Sequence, residues 1–170
     1  MSGHDEALFQ QLRAQYPGCD IAEVEVEGDV VRVHTARPGL LIGKRGATAE
    51  RLTAELKGAR GEATSLQILE VRRPELEALL VADHVANNVA ARVPLERLQR
   101  FAQNPLRAGA LGCRVVVTGA LEADFSAGVL EGAVVKTATV SGSLRPQAEE
   151  VDAPLPSFSV TVTLALPEPR

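Results

Sequence analysis

With 170 residues, 45% of them apolar, the chain is long enough for one ordinary domain or two small ones around a packed core. Aromatic residues make up only 3% and Trp is absent, so Ala, Val and Leu must fill that core, and the aromatic base-stacking surfaces of RRM-like or OB-like sheets are argued against. The formal charge of -4 gives no global attraction to a phosphate backbone, so any anion binding has to be local. Charge is spread unevenly: Gly28 to Arg60 holds seven Lys or Arg against three acids, whereas Val115 onward holds three against seven. A basic patch therefore belongs in the first half. Cys19 and Cys113 are far apart and lack C-x-x-C spacing, which points to two reduced buried thiols rather than a metal knuckle or a disulfide. The opening Met-Ser-Gly-His-Asp-Glu has no basic start followed by an apolar run, and no stretch reaches the length of a membrane span, so a cytoplasmic location is the default expectation.

Leu8, Phe9, Leu12 and Tyr16 share one helical face over Asp5 to Tyr16, and Pro17-Gly18 ends the pattern. Ala22, Val24 and Val26 then alternate with Glu23, Glu25 and Glu27. After Gly28-Asp29, Val31 and Val33 alternate with Arg32 and His34, which predicts a β-hairpin with one wet face. Two short helices are expected on either side of Gly43-Lys44-Arg45-Gly46, the second with Ala49, Leu52 and Leu56 on one face, and Leu66 to Val71 reads as a strand. The resulting order is α-β-β-α-α-β. Pro74 is placed as the first residue of a long helix carrying Ala78, Val81, Ala82, Val85, Ala86 and Val89. A helix from Leu95 to about Ala108 follows, then strands at Cys113 to Thr118, Val134 to Val140 and Phe158 to Leu166, the last with strict apolar alternation. Ser141 to Ser157, rich in Pro, Glu and Ser, reads as a loop. The expected class is α+β: a first domain over 1–73, a linker helix over 74–93, and a mixed α/β domain over 94–170 with a mainly antiparallel sheet.

A G-x-x-G pattern alone decides nothing, because Gly58-Ala-Arg-Gly61 and Gly109-Ala-Leu-Gly112 match it equally well. Only Gly43 to Gly46 follows an Ile, lies between two apolar-faced helices and carries two adjacent cations. Glycines at both ends let a sugar-phosphate chain come close, and the second opens a helix whose free N–H groups favour anions. Lys44 and Arg45 add charge-assisted hydrogen bonds. In this helix-loop-helix setting the loop resembles that of a type II KH domain, which is expected to clamp about four nucleotides while an apolar groove takes the bases. Leu41, Ile42 and Leu52 are candidates for that groove, and Arg37, Arg51 and Lys57 for further backbone contacts. A P-loop is excluded, since Gly39 to Arg45 fails both its spacing and its final hydroxyl. His4, His34 and His84 lie outside any Cys or paired-carboxylate cluster in the sequence, with His34 expected on a strand surface and His84 on a helix surface. No catalytic residue, cofactor or metal ligand is expected, and the chain is not read as an enzyme.

Several consecutive segments carry a resemblance: His34-Thr35-Ala36-Arg37-Pro38-Gly39, Ile42-Gly43-Lys44-Arg45-Gly46, Glu70-Val71-Arg72-Arg73-Pro74-Glu75-Leu76, Leu80-Val81-Ala82-Asp83 and Gln103-Asn104. Through them the chain resembles the KH-bearing ribosomal protein S three family of the small subunit. The resemblance implies a KH domain followed by a mixed α/β domain. It also implies contact with ribosomal RNA near where messenger RNA enters, and neighbouring small-subunit proteins as partners. The chain is expected to be diverged and shortened relative to that family. It begins at the first KH helix, where the family has a further basic segment. Leu95-Glu96-Arg97-Leu98-Gln99-Arg100 keeps only part of a basic cluster, and Gly119-Ala120-Leu121 is followed by the acids Glu122 and Asp124. Two alternatives follow from the acidic balance: a relative that works off the ribosome on another single-stranded RNA, or a KH scaffold kept as a protein-interaction module.

Overall fold

The computed structural model describes residues 2–131, 134–146 and 154–167, and its contacts divide the chain into two units, Met1–Arg72 and Arg73–Arg170. In the first unit, the Asp5 carboxylate caps helix α1 (Glu6–Gln15) by accepting the Leu8 N–H at 3.0 Å, and Leu8, Phe9 and Leu12 are buried. Strands β2 (Ile21–Glu27) and β3 (Val30–Thr35) form the expected hairpin, with Glu27 opposite Val30 across a two-residue turn. Gly28, at φ 57°, fills the first central position of that turn, where a type II′ hairpin needs a glycine. Helices α2 (Pro38–Ile42) and α3 (Ala47–Arg60) follow, and β4 (Ser65–Glu70) returns parallel to β3. The anticipated α-β-β-α-α-β order is therefore present. One strand is added to it: β1 (Ser2–His4) pairs antiparallel with β2 and completes the order β1-β2-β3-β4. Three residues without apolar alternation leave no pattern to read.

The hairpin departs from strict alternation at its open end. A register shift between Ile21 and Glu23 leaves Ala22 as an extra residue, so Ile21 joins Val24 in the core while Ala22 is only half-buried. Thr35, opposite Ile21, is completely buried. Its hydroxyl donates to the Cys19 carbonyl and accepts the Arg37 N–H at 3.1 Å, which ties the end of β3 to the turn after α1.

In the second unit, Pro74 does not start the long helix. Pro74–Leu76 is a separate 3₁₀ turn, Glu77 is extended (φ -100°, ψ 109°), and α4 (Ala78–Ala90) begins where the apolar period begins. Nor does α4 act merely as a connector: Val81, Ala82, Val85, Ala86 and Val89 lie in one buried cluster with Val115, Val117, Val160 and Val162 of the second sheet. That sheet contains β5 (Gly112–Gly119), β6 (Ala123–Gly128), β7 (Val134–Ser143) and β8 (Ser157–Leu166), all antiparallel in the order β6-β5-β8-β7. Phe158, Val160, Val162 and Leu164 of β8 face inward as their alternation predicts, while Leu166 is only half-buried. Strand β6 was not expected, because Ala-Asp-Phe-Ser-Ala-Gly has weak β character and its conformation is imposed by the ladder to β5. Of the expected loop over 141–157, Ser141–Ser143 continue β7, and 147–153 lie outside the described residues.

The helix expected from Leu95 is split into α5 (Leu95–Leu98), a 3₁₀ stretch Gln99–Ala102, and α6 (Gln103–Arg107). Pro105 cannot donate to Phe101 and its ring crowds that carbonyl, so a regular α-helix cannot run through. The two other G-x-x-G stretches have structural uses. Gly61, at φ 116°, ends α3, and Gly109, at φ 115°, leads from α6 towards β5. Cys19 and Cys113 are free and buried, and burial pushes the Cys113 thiol up to about 11. Among the described residues no helix is long and apolar enough to cross a membrane.

Candidate nucleic-acid interface

Helix α2 is barely more than one turn, with Pro38 at its start and the Gly43 N–H bonded back to the Gly39 carbonyl at 3.0 Å. Leu41 is fully buried (0% exposed) and fastens this turn to the core, and Leu52 on α3 is likewise buried (1%). Neither can line an open groove, which corrects that expectation. The outward positions belong to Leu40, 55% exposed, and to Ile42, 41% exposed. Helix α2 touches β4, one of the two edge strands of this sheet, where Leu69 is also exposed.

The loop between the helices uses its two glycines differently. Gly43 lies at φ 79°, ψ 176°, a region essentially limited to glycine. A Cβ placed there would come within 2.3 Å of Thr48 Oγ1, 2.7 Å of Thr48 Cβ and 2.8 Å of the Thr48 nitrogen. Gly46 is left-handed (φ 78°, ψ 10°) but has open space around it, so its requirement is conformational alone. Its N–H closes the loop on the Gly43 carbonyl at 3.2 Å. Arg45 between them is itself left-handed (φ 55°, ψ 27°), an uncommon conformation for a side-chain-bearing residue. Lys44–Gly46 forms a 3₁₀ turn, and α3 starts immediately after it. No side chain caps that helix start; the Ala47 N–H bonds back to the Lys44 carbonyl, and Glu50 lies in the first turn.

The cations sort into two groups. Arg32 is held by Glu27 at 2.6 Å, Arg60 by Asp5 at 2.6 Å, and Arg37 by Asp20 at 3.1 Å. Lys44, Arg45, Arg51 and Lys57 make no ion pair among the described residues. Lys44, Arg45 and Arg51 are exposed and Lys57 is half-buried. The pair at the loop tip is therefore open to an external anion, whereas Arg37 would have to share its guanidinium with Asp20.

Comparison with known proteins adds to this geometry. The KH domain family matches residues 5–76. Small ribosomal subunit protein uS3 of Chlamydia muridarum is 51% identical over 92 residues, which cover 54% of this chain and 41% of that protein. The uS3 proteins of Lactobacillus delbrueckii subsp. bulgaricus and Cytophaga hutchinsonii are 38% identical over 130 residues and 36% identical over 122. Those alignments cover 70% and 69% of this chain, and 58% and 48% of the two relatives. The chain is similar to uS3 proteins over 54–70% of its length. It spans about half the length of the curated uS3 relatives it matches. The part matched as a KH domain contains the whole loop, both flanking helices and strands β2, β3 and β4 of the first sheet, while β1 lies outside it.

Neither the exposure of Leu40 nor the β4 edge is legible in the sequence. Five residues of helix are too few for a period to show which Leu turns inward, and an edge is a property of the assembled sheet. In the sequence His34 reads as isolated. The hairpin register instead sets His34 Nε2 3.1 Å from Glu25 Oε1 and directly opposite Glu23.

Proposed function

We propose that the chain binds RNA as a small-subunit ribosomal protein, with Gly43, Lys44, Arg45 and Gly46 clamping the sugar-phosphate backbone. The observation that carries this reading is the loop tip: two adjacent cations without an acidic partner among the described residues, between two glycines at positive φ, at the start of a helix that no side chain caps. Phosphate oxygens meet the Lys44 and Arg45 side chains, and the glycines on either side let the sugar-phosphate chain come close. Leu40 and Ile42 offer apolar contact to unstacked bases, and Arg51, Lys57 and Arg37 extend the cationic track. Leu41 contributes by anchoring α2. Ribosomal RNA and other small-subunit proteins are the partners, near where messenger RNA enters, in the cytoplasm. No catalytic step or cofactor is required.

The acidic balance after Val115 favours one second reading, a relative that acts off the ribosome on another single-stranded RNA. Sedimentation of tagged protein from lysate on a sucrose gradient separates the two. Stoichiometric travel with small subunits that survives moderate salt supports the ribosomal reading, and protein left at the top of the gradient rejects it. For the clamp itself, neutralising about four phosphates on a single strand gives a log-affinity against log-salt slope near ~3. The Lys44→Asp/Arg45→Asp variant should lose binding and stay folded, and unchanged affinity would remove the loop from the account.

A further inference from the structure

We propose that the wet face of the β2–β3 hairpin holds a divalent cation of the zinc type, with His34, Glu23 and Glu25 as its protein ligands. The turn at Gly28-Asp29 fixes Glu27 opposite Val30, and the same register brings Glu25 opposite Arg32 and Glu23 opposite His34. All three ligands therefore project from the same face of two directly hydrogen-bonded strands. One ligand atom from each lies within 4.8 Å of the other two, and His34 Nε2 is 3.1 Å from Glu25 Oε1. An ion with bonds of about 2.1 Å spaces tetrahedral ligands about 3.4 Å apart. Closing onto it needs side-chain rotation and no movement of the backbone.

Charge and donor type point the same way. Glu23 and Glu25 place two carboxylates side by side, while Arg32, the cation on this stretch of β3, is already engaged by Glu27 at 2.6 Å and by Gln67 at 3.1 Å. An imidazole nitrogen among the donors distinguishes the cluster from an ordinary acidic surface and selects a borderline ion over magnesium or calcium, which prefer oxygen alone. The His34 and Glu25 side chains are 26% and 31% exposed, sheltered enough to stay in place and open enough to leave one coordination position to solvent. Such an ion cross-links β2 to β3 on the face opposite the core. The assignment is independent of the RNA-binding reading.

The test is titration of the full-length, metal-free protein with Co²⁺, followed by its visible absorption, and with Zn²⁺ by calorimetry. Saturable one-to-one binding is expected, with a cobalt band that reports a nitrogen ligand. His34→Ala, Glu23→Gln and Glu25→Gln should each weaken it at least about ten-fold, while His4→Ala and His84→Ala leave it unchanged. Circular dichroism checks the fold of each variant, and the two Gln variants decide the matter if His34→Ala unfolds. Absence of saturable binding, wild-type affinity in the His34→Ala, Glu23→Gln or Glu25→Gln variant, or loss of binding in the His4 or His84 variant overturns the proposal.

Discussion

Replacing each loop glycine by alanine separates two physical costs that the G-x-x-G pattern merges. At Gly46 the added Cβ meets nothing within 4 Å, so the cost is the left-handed backbone, about 1–2 kcal/mol, offset by about 0.4–1 kcal/mol from a stiffer unfolded chain. Gly46→Ala should therefore destabilise the first unit by no more than about 1.6 kcal/mol. At Gly43 the backbone strain alone is about 1–3 kcal/mol, and the Cβ also meets Thr48 Cβ at 2.7 Å and the Thr48 nitrogen at 2.8 Å. Relief requires the first turn of α3 to move, so Gly43→Ala should cost at least ~2 kcal/mol more than Gly46→Ala. Adding Thr48→Ala removes the hydroxyl contact at 2.3 Å but leaves the other two, and should recover only part of the loss. Hydrogen exchange of the α3 amides reads the first unit separately from the second. Equal costs at the two glycines, or full rescue by Thr48→Ala, would refute the reasoning.

Two further substitutions test how the loop is held in place. Thr35→Val keeps the shape of a buried residue but leaves the Cys19 carbonyl and the Arg37 N–H without their hydroxyl partner, so a loss of about 1–3 kcal/mol is expected in thermal or urea unfolding of the first unit. Asp5→Ala should cost about 1 kcal/mol at neutral pH, because it removes the cap of α1 and the ion pair to Arg60; Asp5→Asn keeps the cap and should cost less. The Leu8 N–H first, and Arg60 after it, hold the Asp5 carboxyl below its ordinary value. A depressed native pKa stabilises the fold above the unfolded value and loses that effect as pH falls through the native one. The gap between wild type and Asp5→Asn in an unfolding series should therefore narrow at acidic pH.

What the sequence made legible follows from the range of each signal. Helix α1, the hairpin, β8 and the cationic loop announce themselves within a few residues, through a period of 3.6 or 2, a turn glycine, or a charge pair between helices. Strand β6 is specified by its neighbour, and the inward turn of Leu41 rather than Leu40 by the core beneath a single helical turn. His34 beside Glu25 depends on the register of two strands, although the two-residue turn that sets it was visible. Pro74 was a fair helix-start signal, yet the chain has its first apolar period four residues later, at Ala78. For β6, Leu41 and His34 the deciding partner belongs to another element, outside the local period that a sequence pattern reports.

The parallel pairing of β3 with β4 bears on how the interface comes into being. The β2–β3 hairpin has a short turn and can close within microseconds. Strand β4 can join only after residues 36–64 have crossed over, and that crossover contains α2, the loop and α3. Closing it is the slow, non-local step of this unit. The loop and the edge beside it are thus delivered in the same event, so a nascent or partly unfolded chain that has its hairpin still lacks the surface that would hold RNA.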